Sequence, residues 1–387
     1  MSILTLYYVI PVLAGLTVAF VVAALYYTFK TRKEQLNRDK SILSNALFGR
    51  KNEIRRLAEQ ILTGQSSVIV SVFEDERTAL LGYLSDPSNN KALYGEQSAK
   101  LVFSLLDIHF LFLETDIEKC EPAQFWERAL KPLENKLEPN SSLFECYQAC
   151  QENQFDKDYL DKLMVQLKQK GWRLVLMLDR FDELLGSNLD KPAFFATLRY
   201  LASFRSPSSL SLIISWDISL KQFHDKTKPI NFKGSPYLNF MENGEIVLGL
   251  ISHAEVDELL RQMLFSKQER QFIKEIAGRH PHFIQLAASA LQTAKENHEE
   301  QPLEVAKKAF YERVENLLTN IMHSWDSEIC QAIVSLVKEN KTPELGELSL
   351  LEKQGFLIKD NQNQWQISPL ILVEFIQNKT KQALCNH

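Results

Sequence analysis

The sequence predicts an α/β body built on a parallel sheet and preceded by one transmembrane helix. Three observations carry that prediction. Residues 3–27 contain no charged side chain. Beyond residue 47, short continuous apolar runs alternate with stretches of helical periodicity. From residue 253 to about 323 the helical pattern continues alone. Alternating strands and helices imply parallel strands joined by crossover helices. A strand covered on both faces reads as an unbroken apolar run, which is what the candidate strands look like.

The run bounded by Ile3 and Tyr27, ILTLYYVIPVLAGLTVAFVVAALYY, comes first. As a helix rising ~1.5 Å per residue it would span roughly 37 Å, enough to cross a ~30 Å hydrocarbon core with some tilt. Tyr7, Tyr8, Tyr26 and Tyr27 lie towards its two ends, where aromatic rings suit the lipid–water interface. Pro11 falls in its first half, where a kink is tolerated. A cleaved signal peptide would need a basic stretch before a shorter apolar core, and only Met1 and Ser2 precede this run. Lys30, Arg32, Lys33, Arg38 and Lys40 follow it, so the positive-inside bias places the amino terminus outside and the body in the cytoplasm. The expected organisation is a transmembrane helix at 1–29, a polar juxtamembrane stalk at 30–46, and a body at the inner face of the cytoplasmic membrane.

The body begins with LFGRKNEIRRLAEQILTGQ, a turn followed by a helix carrying Ile54, Leu57, Ile61 and Leu62 on one side. VIVSV (68–72) reads as a buried strand, followed by a helix over 77–84. HFLFLETD (109–116) reads as the next strand and 123–137 as a helix. The polar stretch 138–157 reads as an insertion. A helix at 159–170 leads into RLVLMLDRFDELL (173–185), a strand ending in acids. A helix at 193–204 precedes the strand LSLIISWD (210–217), and EIVLGL (245–250) is a last short one. After the helical stretch, FLIKD and QWQIS form a strand-like pair, with turns at Gly355 and 361–363.

Composition narrows the function. With 387 residues, 45% hydrophobic and 24% charged, the part beyond the span is long enough for two or three globular domains. A net charge of −5 argues against a broad nucleic-acid surface. The five cysteines, Cys120, Cys146, Cys150, Cys330 and Cys385, are odd in number and scattered, which in a cytoplasmic chain reads as reduced thiols. Cys146 and Cys150 share a helix face, but two ligands do not make a zinc site. His280 and His282 lack a third ligand and read as helix-start residues. Trp126 and Trp216 read as core or rim aromatics. No metal is expected.

Several fragments occur in a meaningful order: Phe48-Gly49-Arg50 followed by Glu53; TGQSSVIVSV then TALLGYLSDP; RLVLMLDRFDELL; GRHPHFIQLAASAL; and ISPLILVEFI. Together, over about 47–377, they resemble the STAND group of P-loop ATPases, relatives of the AAA+ class. The resemblance implies an ASCE-type P-loop sheet at 47–250, a helical lid at 251–323 and a winged-helix-like domain at 324–387. It further implies that Phe48, Gly49 and Arg50 lie against an adenine, that Pro281 lies near the nucleotide, and that Arg77, Thr78 and Asp179 stand at the phosphate and magnesium positions.

The departures from that pattern decide the expected function. A phosphate loop reads G-x-x-x-x-G-K-[ST], with glycines that let the backbone wrap the phosphates and a lysine that neutralises them. The aligned residues here run from Ser71 to Thr78 and read SVFEDERT. Ser71 and Glu76 replace the glycines, Arg77 replaces the lysine, and Glu74, Asp75 and Glu76 place carboxylates where a polyanion would nest. At an effective dielectric of ~20, one like-charge pair at ~4 Å costs about 4 kcal/mol. The same three acids also suit the first turn of a helix through its dipole. Walker B chemistry needs an Asp for magnesium and a following Glu to orient water; Asp179 is present, but Arg180 follows it. Asp182 and Glu183 come later, and Ser215-Trp216-Asp217 lacks the arginine that many relatives carry. The charge reversals suggest that Arg77 or Arg180 pairs with Asp179 or with the acids at 74–76.

The expectation is therefore a membrane-anchored pseudo-ATPase without enzymatic activity or cofactor. It would recruit or sense a protein partner, a second copy included, in a bacterial defence or signalling complex; the last point rests only on the resemblance. One alternative is a nucleotide switch that binds ATP and magnesium and then oligomerises. Another is a membrane-tethered DNA-binding regulator. The candidate recognition helix at 343–354 carries Glu344, Glu347 and Glu352 against Lys353, so phosphates would repel it and nucleic acid is not expected as a partner. Trp365, Leu370, Ile371 and Phe375 are the expected core of that last module.

Overall fold

The computed structural model describes residues 47, 49–115, 120–203, 209–217, 223, 238–325, 327–339, 341, 348–360, 362–380 and 384–385. The predicted span and stalk, and Phe48, lie outside these residues. Among the described residues no helix is long and apolar enough to cross a membrane.

Helix α1 (Lys51–Thr63) buries Leu57, Ala58 and Ile61 and stops at Gly64, whose φ of 74° gives a left-handed cap. Strand β1 (Ser67–Val70) is buried throughout, as its unbroken apolar run requires. Helix α2 (Glu74–Ser85) follows after three residues. Helix α3 (Pro87–Tyr94) starts under an Asp86 cap with proline in its first turn.

The segment 109–116, read above as a strand, is not one. The strand precedes it as β2 (Leu101–Asp107), and α4 (Ile108–Thr115) takes up most of the predicted strand. Asp107 makes the switch: its Oδ1 accepts the His109 backbone N–H at 3.0 Å and opens the helix as a cap would. Apolar residues dominate both elements, so periodicity alone does not separate them. Helix α5 (Pro122–Glu134) begins with a capping box between Glu121 and Gln124. The polar stretch 138–157 is also more ordered than expected. It contains α6 (Ser142–Glu152), capped by Ser141 and anchored by buried Leu143, Tyr147 and Cys150.

Helix α7 (Lys157–Gln169) leads to β3 (Arg173–Asp179), and α8 (Pro192–Ser203) leads to β4 (Leu210–Trp216). Strand β5 (Glu245–Val247) completes a parallel sheet in the order β2-β3-β4-β1-β5. Because β4 lies between β1 and β3, the residues that leave the carboxyl ends of β1 and β3 converge across the end of β4. Trp126 and Trp216 are core residues, at 2% and 0% exposure. Apolar clusters cover both faces of the sheet.

Helices α9 (His253–Gln262), α10 (Lys267–Ala277), α11 (Pro281–Glu296) and α12 (Pro302–Ser324) follow. Capping boxes at Ser252/Glu255 and Ser266/Glu269 start the first two. Then come α13 (Ser327–Glu339), α14 (Ser349–Gln354), the antiparallel pair β6 (Leu357–Lys359) and β7 (Trp365–Ile367), and α15 (Leu370–Asn378). The four helices and this last segment share one core, in which Phe283, Phe310 and Val314 join Phe356, Ile371 and Phe375. Two sequence expectations need correction here. Leu370 is 47% exposed rather than buried. Cys330 and Cys385 form a disulfide across 55 residues rather than remaining thiols, because the chain end folds back onto α13. Cys120, Cys146 and Cys150 are free.

Candidate functional site

The turn between β1 and α2 is only Ser71-Val72-Phe73. The Ser71 N–H bonds to the Trp216 carbonyl at 3.1 Å, holding the turn against the end of β4. The Phe73 N–H bonds to Ser71 Oγ at 3.1 Å, and the Arg77 N–H reaches the Phe73 carbonyl at 3.3 Å. Helical geometry therefore begins at Glu74. Glu74 and Asp75, two of the four positions that would wrap a phosphate, are already the first turn of α2.

Glu76 stands at the second glycine position and points inward. It is 1% exposed and accepts a hydrogen bond from Arg50 Nη2 at 2.9 Å. Arg50, itself buried, also lies 3.4 Å from Glu53. Burial pushes the Glu76 carboxyl above its usual range, and Arg50 and the His282 backbone pull it partly back. Gly49, next to Arg50, has φ 76°, and a Cβ there would meet Ile251 at 2.5 Å, so this turn requires glycine.

Arg77 turns back on the loop. Its Nη1 donates to the Ser71 carbonyl, and its Nε lies 4.0 Å from Asp179 Oδ1. Asp179 accepts the Thr78 hydroxyl, the Ser215 hydroxyl and the Arg180 N–H, so both of its oxygens are engaged. Thr78 comes from α2, Asp179 from β3 and Ser215 from β4; the strand order is what brings them together.

Arg180 has φ 54° and spans the mouth of the site. Its Nη1 bonds to Glu74 at 2.6 Å, and its Nε bonds to Asp107 Oδ1 at 2.9 Å while Nη2 takes the other oxygen. Asp107 is the register partner of Asp179, so β2 and β3 both end in an acid at the same level. The Arg180 guanidinium also lies 5.5 Å from the centre of the Phe110 ring. Asp182 titrates at about 6, raised first by burial and then by Asp217.

Pro281 starts α11 and is buried. Before it, His280 is 1% exposed. Burial lowers its pKa to about 3, an effect that the Gly355 backbone only partly offsets. Phe73 packs against this region, 5.5 Å from His280, 5.0 Å from His282, 5.2 Å from Phe283 and 6.3 Å from Phe356. A cleft of about 330 Å³ opens beside it, with Glu74, Asp75, Arg77 and Asp217 on the sheet side and Asn320 and Ser324 on α12.

The structure thus brings Gly49, Arg50, Glu74, Glu76, Arg77, Thr78 and Asp179 together around the start of α2, with Asp75 on the exposed first turn and Pro281 across from it. Phe48 is outside the described residues. Sequence reasoning missed Asp107, Phe73 and Ser215. The signal for Asp107 was an acid closing an apolar run, as Asp179 does. Phe73 and Ser215 carried no signal of their own.

The chain matches no protein-family model and no curated protein. Among solved structures it is similar to the Walker-type ATPase PABY2304 of Pyrococcus abyssi, at 14% identity and a TM-score of 0.55, over 85% of this chain and 96% of that one. It also aligns with the ORC2 protein of Aeropyrum pernix in its ADPNP–ADP complexes, at 13% identity and a TM-score of 0.45, over 85% and 92% of the two chains. The body has a P-loop ATPase-like fold. Thr78 and Asp179 would suit a magnesium ion, but the loop does not fit a triphosphate. The first turn of α2 presents Glu74 and Asp75, and Arg77 is directed at a backbone carbonyl.

Proposed function

We propose that this chain is a membrane-anchored cytoplasmic scaffold or adaptor, a degenerate STAND-type pseudo-ATPase whose body recruits or senses a protein partner. The observation that carries the reading is the set of internal ion pairs at the phosphate-loop position. Arg50 with Glu76, and Arg180 with Glu74 and Asp107, satisfy locally the charges that a nucleotide site would hold ready for its ligand. A bound polyanion would have to break these pairs and still face the carboxylates it released. The span at 3–27 would hold the body at the inner face of the membrane. The segment from 324 onward, read as a winged-helix-like module, packs into the lid core and works as part of the same rigid surface. A place in bacterial defence or signalling is part of the proposal and rests on the family resemblance alone.

Calorimetry of the full chain in neutral detergent, titrated with MgATP, tests the loss of the nucleotide site. No saturable heat is expected, and micromolar affinity would overturn the reading. Affinity purification under the same conditions tests the adaptor role. Stoichiometric recovery of a protein partner is expected, and a chain that emerges alone under every gentle extraction would count against it.

A second reading keeps nucleotide. The hydrogen bond from Thr78 to Asp179 joins the two residues that would share a magnesium ion, and the adjoining cleft is open. Assembly of rings or spirals on addition of ATP would favour that switch over the scaffold.

A further inference from the structure

The opposite end of the sheet has a different chemistry. A cleft of about 400 Å³ lies at the amino ends of β2, β3 and β4. Lys100, Lys168 and Arg173 line it together with Gln97 and Trp172, and none of its lining residues is acidic. The three cations come from three separate elements: the turn before β2, the last turn of α7 and the first residue of β3. The Lys100 ammonium lies 5.7 Å from the centre of the Trp172 ring. Arg173 is pinned in place, its Nη1 bonded to the Ile61 and Leu62 carbonyls at 2.8 and 2.6 Å. Behind Leu101, which also lines the cleft, Lys136 donates to the Leu101 carbonyl at 3.0 Å and adds a fourth positive charge.

We propose that this cleft binds a phosphate-bearing anion, with Lys100, Lys168 and Arg173 neutralising the phosphate and Trp172 forming the wall against its less polar part. A chain of net negative charge gathers cations in one depression here without placing a carboxylate among its lining residues. Burial holds both Arg173 and Lys136 below their usual range, so their charge is held at a cost that a bound anion would offset. Lys168 and Lys100 each lie in the last turn of a helix and could be explained as cations complementing helix ends, but that account does not extend to Arg173, the first residue of β3. A guanidinium and two ammonium groups around one cleft make the arrangement expected for phosphate recognition. The ligand could come from two sources, a soluble phosphoester or the headgroup of an acidic phospholipid. The inference does not depend on the adaptor reading.

The test titrates the full chain in neutral detergent with inorganic pyrophosphate and, separately, with short-chain phosphatidic acid, following tryptophan emission and heat. Saturable binding of at least one probe is expected, weakening as sodium chloride is raised. Pyrophosphate alone would assign the soluble source, and phosphatidic acid alone the headgroup. The double variant Lys100→Glu/Lys168→Glu should bind at least about tenfold more weakly. The distant pair Lys267→Glu/Lys308→Glu, exposed on α10 and α12, should bind like the wild type. If the double reversal does not fold, Lys100→Gln/Lys168→Gln gives the same comparison with less perturbation. Binding of neither probe, or equal binding by a folded Lys100/Lys168 variant, would overturn the proposal.

Discussion

Arg50 and Glu76 form an ion pair at 2.9 Å in which each residue is 1% exposed, although they lie on different elements 26 residues apart. The pair ties the turn before α1 to the first turn of α2, at the position where a phosphate loop would carry its second glycine. The charge of Arg50 is thereby directed into the start of α2. Neither residue can serve a ligand without abandoning the other.

Breaking this pair on one side should be costly. Arg50→Met leaves Glu76 buried without its cation, and a loss of about 3–5 kcal/mol is expected in urea unfolding. The double variant Arg50→Met/Glu76→Leu removes both charges and should recover most of that loss. The pH dependence of this loss is a second readout. Burial raises Glu76 in the folded state, so losing Arg50 raises it further and the single variant should be less impaired at low pH, where Glu76 is protonated. Equal losses for the single and double variants would show that the pair is not the source of the effect.

Much of this arrangement is legible from residue types, and the part that is not has physical reasons. Strands β1, β3 and β4 lie inside the sheet, covered on both faces, and their unbroken apolar runs mark them. Strand β2 lies at the edge, with Leu105 39% exposed, and it runs directly into apolar α4. Only Asp107 separates the two, through a hydrogen bond that a pattern of apolar residues does not encode. The charge reversals at Arg77 and Arg180 suggested internal pairs, and Arg180 with Glu74 and Arg77 near Asp179 are present. The Arg50–Glu76 pair is not legible because its members lie 26 residues apart on different elements, where no local spacing reports a contact. The Cys330–Cys385 bond depends on the chain end folding back, which no local signal reports.

His280 should make stability depend on pH. The unfolded ring titrates near 6.5 and the folded one at about 3, so between these values the unfolded state holds up to one more proton. Stability therefore falls as pH falls, by about 1.4 kcal/mol per unit, or roughly 2–3 kcal/mol between pH 6.5 and 4.5. His282, also lowered by burial, acts in the same direction, whereas Glu76 acts in the opposite one. His280→Leu isolates the contribution. Its unfolding free energy should have a shallower slope over this range, and a slope equal to that of the wild type would rule out the titration of His280.

Reduction should weaken the carboxyl-terminal part of the shared core. The Cys330–Cys385 bond closes 55 residues of chain. In the chain-entropy account such a loop contributes about 4 kcal/mol, less where the unfolded chain retains structure. A dithiol reductant, or Cys330→Ala/Cys385→Ala, should lower the thermal midpoint. Peptide mapping of the unreduced chain should recover the two cysteines linked. Free thiols at both positions in freshly prepared protein would contradict the bond directly.

Phe73 belongs to the turn after β1 but is 2% exposed within the core of the lid and carboxyl-terminal segment. Its ring therefore couples the sheet to the helices that cover its end. Phe73→Ala should cost about 3–5 kcal/mol, because the cavity it leaves borders His280, Phe283 and Phe356, which are fixed by other contacts. Phe73→Leu keeps most of the volume and should cost less than about 1.5 kcal/mol. Hydrogen exchange distinguishes coupling from simple loss of stability. In Phe73→Ala, amides at 71–74 and at the start of α11 should open together and well before those of β3 and β4, whose contacts do not involve this ring. Uniform acceleration across sheet and lid would mean that Phe73 contributes only to overall stability and does not join the two.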